Sequence, residues 1–402
     1  MKKIYLATIF IATVLLISSC GNSLYRGVPR SYHAKLDVAL STAGDNAEQL
    51  IKALQGVPRE QREAMAFLIS YMPERDLLSL TAEILIDNVT YAFKAKEKFP
   101  WARDVPKDIF LNDVLPFTIM DESRDNWRGD FFERFSRLVE GAPDIFAAID
   151  SVNWNIRDEL LVDFDIRRRK PHQSPFESIE LQMASCTGLS ILLTAAFRAV
   201  GIPSRIAGTP NWYDRRGNHN WSEVWANGVW YFTEYYPDER GLNHSWFVAS
   251  AGMADENSRE HAIFATSFRP AETYFPLVWD DEGIVTYVHA ENVTQRYIAI
   301  FLEQQDEQLL SGDHIAVRIS FRDQSSEERD NRVAINVRVF DADGRDAGRG
   351  QTSCPRRDWN QYLTVILQKN QDYTVRYTVD GRTIHHRFRT GETTMLVELP
   401  NR

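Results

Sequence analysis

Two neighbouring stretches decide the fold: SCTGLSILLTAAFRAVGIPSRIAG at residues 185–208 and GNHNWSEVWANGVWYFTE at residues 217–234. The first sits in a longer run, SIELQMASCTGLSILLTAAFRAVGIPSR. That run reads as one long apolar helix, ended by Gly201-Ile202-Pro203, because glycine and proline punctuate helices. Ser185 is a suitable N-cap beside Cys186, and SRIAGT, residues 204–209, suits a short strand. In the second stretch, two runs rich in Trp, Val, Tyr and Phe flank Asn227-Gly228, a favoured type I′ hairpin turn. A helix followed by a hairpin predicts an α+β domain.

The turn sets the register. If Asn227 and Gly228 are the loop, Ala226 pairs with Val229, Trp225 with Trp230, Glu223 with Phe232, Trp221 with Glu234 and His219 with Tyr236. Opposed residues and their i±2 neighbours share a face. His219 and Glu234 are then diagonal neighbours on one face. Asn218, Asn220, Ser222, Val224 and Ala226 take the other, opposite Val229, Tyr231, Thr233 and Tyr235.

These residues suit nucleophilic chemistry. A thiolate is the competent nucleophile, and a free cysteine thiol has a pKa of about 8.5. A helix N-terminus and a nearby imidazolium both favour the thiolate. Cys186 has the first, and His219 can supply the second. A carboxylate at Glu234 holds an imidazole in one tautomer and supports its charged form. The backbone N–H groups at the helix start, that of Cys186 among them, can hold an oxyanion. Gln182 is a weaker candidate for the same task. Taken singly, each residue has an ordinary reading: a buried cysteine, a satisfied strand histidine, a solvent-facing glutamate. Their order and spacing point to catalysis.

The joint pattern resembles the transglutaminase-like core of bacterial proteins, over about residues 150–250. The resemblance lies in Cys186 at a helix start, Arg198-Ala199, Gly201-Ile202-Pro203 and Arg205 at its end, then His219, Trp221, Glu223-Val224, Gly228 and Trp230 on the hairpin. SPFESI, residues 174–179, resembles the stretch that commonly precedes the cysteine. The resemblance implies a papain-like fold and a Cys186–His219–acid triad, with Glu234 at the acid position. Three positions depart from the family pattern: Glu234 where Asp is usual, Ser185 where Gly or Asp is common, and Thr187 where a small or acidic group is common. Asp238 is an alternative third residue, although Pro237 would bend the strand before it. The expected chemistry is acyl transfer from an amide through a Cys186 thioester, to water or to an amine. The alternative is a non-catalytic envelope lipoprotein that binds peptide or carbohydrate, with Trp212, Tyr213, Tyr235, Tyr236 and Trp246 lining its groove. Core packing is the simpler role for those aromatics. A purely structural envelope protein is a third possibility.

The rest of the chain frames this core. Residues 1–20 begin with the basic MKK, continue with the apolar IYLATIFIATVLLI and end in SSC, the layout of a secretory signal. The apolar run is shorter than the roughly 20 residues that a spanning helix needs. LISSC resembles a lipobox, which implies lipidation at Cys20, and Gly21 after it favours the outer membrane. Residues 21–31 read as a tether. Residues 32–149 read as helices: Asp45 and Glu48 suggest a capping box, Pro58 suits a first helical turn, and Met65, Leu68, Ile69 and Met72 form an apolar stripe. Residues 150–255 are the core, 256–295 a connector, and 296–402 a β-sandwich built from HIAVRISF, RVAINVRVF, YLTVILQ, YTVRYTV, TIHHRF and TMLVEL.

Composition limits the partners. The chain has 402 residues, 44% of them hydrophobic, and a formal net charge of −10. That balance argues against nucleic acid, whose phosphates call for a basic face. The expected partners are a peptide or protein substrate, with a glycan-linked one as the variant, and a membrane through the lipid anchor. No CxxC or HExxH motif occurs, so neither a metal nor a cofactor is expected.

Overall fold

The computed structural model describes residues 24–280, 285–304 and 311–401. Cys20 and the signal-like segment lie outside them. The architecture is mixed α and β: a helical N-terminal region, a central sheet wrapped on a buried helix, and a C-terminal β-sandwich.

The N-terminal region comprises α1 (Arg30–Ala43), α2 (Ala47–Gly56), α3 (Arg62–Tyr71) and α4 (Ala82–Lys98), with shorter turns between them. The apolar stripe of Met65, Leu68, Ile69 and Met72 is buried, as its spacing predicts. The capping box expected at Asp45 and Glu48 does not form. Asp45 lies inside a 3-10 turn, and the helix starts at Ala47 after Asn46, which makes no side-chain cap bond. α5 (Arg128–Leu138) and α6 (Ile145–Leu160) follow, and their apolar faces join the same core as the central helix.

The expected single long helix is two. α7 (Pro175–Leu181) carries a complete capping box between Ser174 and Glu177. It ends at Gln182, whose left-handed φ of 52° breaks the helix. The strand β2 (Met183–Ala184) then pairs in parallel with β1 (Asp163–Phe164). α8 (Cys186–Ala199) starts afresh, with the Ser185 hydroxyl accepting the Gly188 N–H. All its residues but Cys186 are buried. Gly201 ends the turn with a φ of 74°, and a Cβ there would stand 2.6 Å from that of Ala102, so only glycine fits.

α8 packs on a six-stranded sheet ordered β5-β4-β3-β6-β8-β7: β3 (Ser204–Thr209), β4 (His219–Ala226), β5 (Val229–Thr233), β6 (Phe264–Ser267), β7 (Thr273–Tyr274) and β8 (His289–Asn292). The last three strands come from the segment expected to be a connector. The β4–β5 register runs from Ala226↔Val229 to Ser222↔Thr233, and Asn227 and Gly228 have the positive φ values of a type I′ turn. β5 ends at Thr233, so the ladder stops short of the pairings expected for Trp221 and His219.

The helix α9 (Thr294–Gln304) covers the sheet's aromatic face through Tyr297 and Ile300. The sandwich stacks β11-β10-β13-β14 against β12-β9-β15: β9 (His314–Phe321), β10 (Asn336–Phe340), β11 (Asp346–Gln351), β12 (Leu363–Gln368), β13 (Asp372–Val379), β14 (Arg382–Arg389) and β15 (Met395–Leu399). β11, in the glycine-rich DAGRGQ, was not anticipated. Its glycines lie against Leu363 and Val365, where a side chain would collide.

Candidate active site

The floor of the site is the N-terminal end of α8. Ser185 caps it, and its hydroxyl also donates to Pro171 O at 2.6 Å, which ties the helix start to the preceding loop. Cys186 is half-exposed and unpaired in any disulfide. Ser190, one turn on, donates to Asn220 O at 3.0 Å, and Asn220 Nδ2 donates to Thr187 Oγ1 at 2.7 Å. These bonds dock the start of β4 on the first turn of α8 and bring His219 to the thiol.

His219 is only 2% exposed. Its ring packs among Trp212, Trp221, Trp246 and Phe247, with the Trp246 centroid 4.9 Å away. Nε2 lies 2.8 Å from Glu234 Oε1. Glu234 follows directly after β5, and the Asn153 side chain on α6 donates to its backbone carbonyl at 2.7 Å. The Ser245 hydroxyl donates to its other carboxylate oxygen. The predicted His219–Glu234 neighbour pair therefore forms, through side-chain reach rather than ladder pairing.

A second carboxylate stands on the other side of the ring. Asp358 Oδ2 is 3.4 Å from His219 Nδ1. Asp358 is buried and comes from the loop between β11 and β12, in the sandwich. Sequence reasoning missed it, because the loop has no periodicity and no motif. The Cys186 thiol, a ring nitrogen of His219 and a carboxylate oxygen of Asp358 all lie within 4.8 Å of one another. Since Glu234 holds Nε2, Nδ1 is the nitrogen left to face the thiol.

The Asp358 loop is firmly held. Arg332, itself buried and paired with Asp330, donates to the carbonyls of Arg357 at 2.9 Å and Asp358 at 2.8 Å. Asn360 Nδ2 donates to Asn218 O at 2.8 Å, and Arg216 donates to Asn360 O at 2.6 Å. The Asn360 N–H donates to Asp358 Oδ1 at 2.8 Å.

The electrostatics follow from this arrangement. Burial alone would lower the pKa of His219. The Asp358 charge, followed by contacts to Asp358, Cys186 and Glu234, reverses that and raises it well above 6.5. Burial pushes the Asp358 carboxyl up, but the His219 charge and contact, the Asn360 N–H and the Arg332 charge hold it below the usual carboxylate range. His219 thus lies between two carboxylates that favour its charged form.

Two cavities meet at the thiol. One of about 330 Å³ is lined by Cys186, His219, Glu234, Tyr236, Trp246 and Arg357, among others. The other, about 240 Å³, is lined by Cys186, Arg168, Arg216, Arg329 and Trp359, among others. Asp358 borders both. Of the aromatics expected in a groove, Tyr235, Tyr236 and Trp246 line the larger cavity, Trp212 is buried in the core, and Tyr213 lies in a separate cleft against the sandwich. Asp238 borders the larger cavity, but its carboxylate is taken by Arg240 at 2.8 Å. Gln182 is exposed, outside both cavities.

Other motif residues support the sheet. Arg205 and Glu223 are paired across β3 and β4, and their side chains meet at 2.8 Å, both buried. The Arg205 guanidinium lies 4.1 Å from the Trp230 ring centroid, and Arg296 and the Tyr297 hydroxyl also bond Glu223.

Residues 134–235 match the family model of the Transglutaminase-like superfamily. They form a transglutaminase-like core. It contains Cys186, His219 and Glu234, whereas Asp358 lies beyond the matched residues. Among solved structures, the chain is similar to one described as a candidate cysteine protease from Cytophaga hutchinsonii, at 16% identity and a TM-score of 0.28, over 48% of this chain and 66% of that one. It is also similar to the Bacillus anthracis TIE protein, at 10% identity and a TM-score of 0.16, over 49% of this chain and 30% of that one. No curated protein sequence matches the chain. The thiol, imidazole and carboxylates gather at the helix terminus of this transglutaminase-like core.

Proposed function

We propose that the protein is a cysteine enzyme that cleaves or transfers amide acyl groups through a thioester on Cys186. The observation that carries this reading is the geometry at α8. The thiol sits on a helix N-terminus, within reach of a buried imidazole that Glu234 holds at 2.8 Å.

In this reading Cys186 Sγ attacks the amide carbonyl carbon, the C–N bond breaks, and the Nδ1 proton of His219 goes to the leaving amine. Glu234 orients the ring through Nε2. The first N–H groups of α8 have no partner within the helix and support the oxyanion. The substrate is a peptide or protein segment lying across the two cavities. Water is the acceptor we favour, because it needs no second site. The lipid anchor at Cys20 would place this activity at the bacterial cell envelope.

The test is alkylation of the metal-free full-length protein by iodoacetamide across pH, beside Cys186→Ala. Cys186 should react faster than a free thiol at pH 6. Equal rates would overturn the activated-nucleophile reading.

A further inference from the structure

A thiol, an imidazole and one acid make and break the bonds just described; Asp358 lends its charge to His219 but touches none of the reacting bonds. Its placement calls for another reason. His219 Nδ1 is buried and has no aligned hydrogen-bond partner, although Asp358 Oδ2 lies 3.4 Å away. The contact is a charge contact, and Cys186 Sγ lies within 4.8 Å of the same ring and carboxylate.

We propose that Cys186 Sγ, His219 Nδ1 and Asp358 Oδ2 form a binding site for a divalent cation of the zinc class, which reversibly silences the nucleophile. The inference rests on the cysteine-enzyme reading for what is silenced, but the site itself rests on geometry. One sulfur, one nitrogen and one oxygen lie within 4.8 Å of one another. Nitrogen and oxygen ligands of a tetrahedral zinc ion stand about 3.4 Å apart, given bonds of roughly 2.0–2.2 Å. The Nδ1–Oδ2 separation has that value already.

The surroundings are those of a metal site. The far ring nitrogen is held by Glu234, the arrangement that fixes a ligating histidine. The Asn360 N–H bonds the Asp358 oxygen that does not face the ring. Cys186 opens to the larger cavity, which leaves a fourth position for water. A mixed S/N/O donor set suits zinc better than magnesium or calcium, which take oxygen ligands. The three donors come from a helix, a hairpin and a sandwich loop, so no contiguous motif announces them. On binding, any proton on Sγ or Nδ1 leaves to water and its lone pair goes to the ion; nothing is oxidised or reduced. Affinity therefore rises with pH as protons cease to compete.

Cobalt(II) titrated into the full-length protein is the probe. A thiolate-to-cobalt charge-transfer band with tetrahedral d–d absorption is expected. It should vanish in Cys186→Ser, which leaves Cys20 and Cys354 in place. Asp358→Asn, which keeps the shape of the side chain, should weaken binding at least about tenfold. Asp358→His, which exchanges one ligand for another, should keep the band. Zinc should displace the cobalt and slow alkylation of Cys186 at least about tenfold, and a chelator should restore it. Absence of the band, its survival in Cys186→Ser, or equal binding by Asp358→Asn would overturn the proposal. Fast alkylation of the metal-free protein together with an absent band would defeat the metal site alone. Slow alkylation with the band present would defeat the enzyme reading alone.

Discussion

His219 is the residue on which the site turns, since it faces one carboxylate from each ring nitrogen. Removing either charge should lower its pKa, and the loss should be larger for Asp358→Asn, because the Asp358 charge is the strongest influence raising it. Imidazole NMR titration of the two variants measures both shifts, and an unmoved titration in Asp358→Asn would contradict the ion pair. On the proposed reading, Glu234→Gln should leave the fold intact and reduce turnover of an amide substrate by up to about 10⁴-fold, the loss seen when a triad acid is replaced by its amide. The sequence disclosed Cys186, His219 and Glu234 because they stand on a capped helix and a hairpin whose registers are set locally. Asp358 was hidden: its loop is brought in by contacts such as that between Asn360 and Asn218, 142 residues apart, and no periodicity marks such a distance.

Among the elements, the hairpin was the most legible and the helix before it the least. Asn227-Gly228 dictates its turn through two positive φ values. The break at Gln182 left no such mark, because Met183 and Ala184 extend the apolar stripe and the left-handed residue is not glycine. Ser185→Ala should destabilise the start of α8 by about 1 kcal/mol, the usual cost of a lost N-cap, read as a lower urea midpoint. The Arg205–Glu223 pair predicts a larger effect. Glu223→Leu leaves the buried Arg205 guanidinium with Glu291 as its remaining carboxylate, at 2.8 Å, and should cost no more than roughly 3–5 kcal/mol, whereas Leu at both positions should cost less than the single change. Equal losses would mean that the pair is not coupled. Similarly, the strands at residues 264–292 escaped notice because they are short and their alternation is weak; the sheet they join supplies the pattern.

At the scale of the whole molecule, the His219–Asp358 pair links the sandwich to the core, and its contribution depends on pH. A raised histidine pKa stabilises the fold fully below its unfolded value of about 6.5, and that support is lost as pH rises through the folded value. A lowered aspartate pKa stabilises above about 3.9, and that support is lost as pH falls through the folded value. The difference in urea midpoint between the wild-type protein and Asp358→Asn should therefore be greatest at roughly pH 4–6.5 and shrink on either side. A flat difference would place the stabilisation elsewhere. The sandwich was readable from its strands, but its part in the site was not, because that part is played by one loop and not by a sheet.

Arg332, the buried clamp on that loop, has a consequence in time. The polypeptide is made from its N-terminus, and segments fold as they emerge. Cys186 and His219 leave the ribosome well before Arg332 and Asp358 exist. The thiol therefore meets its full set of neighbours only after the sandwich has closed around the clamp, so the birth of the finished site is coupled to the completion of the last domain.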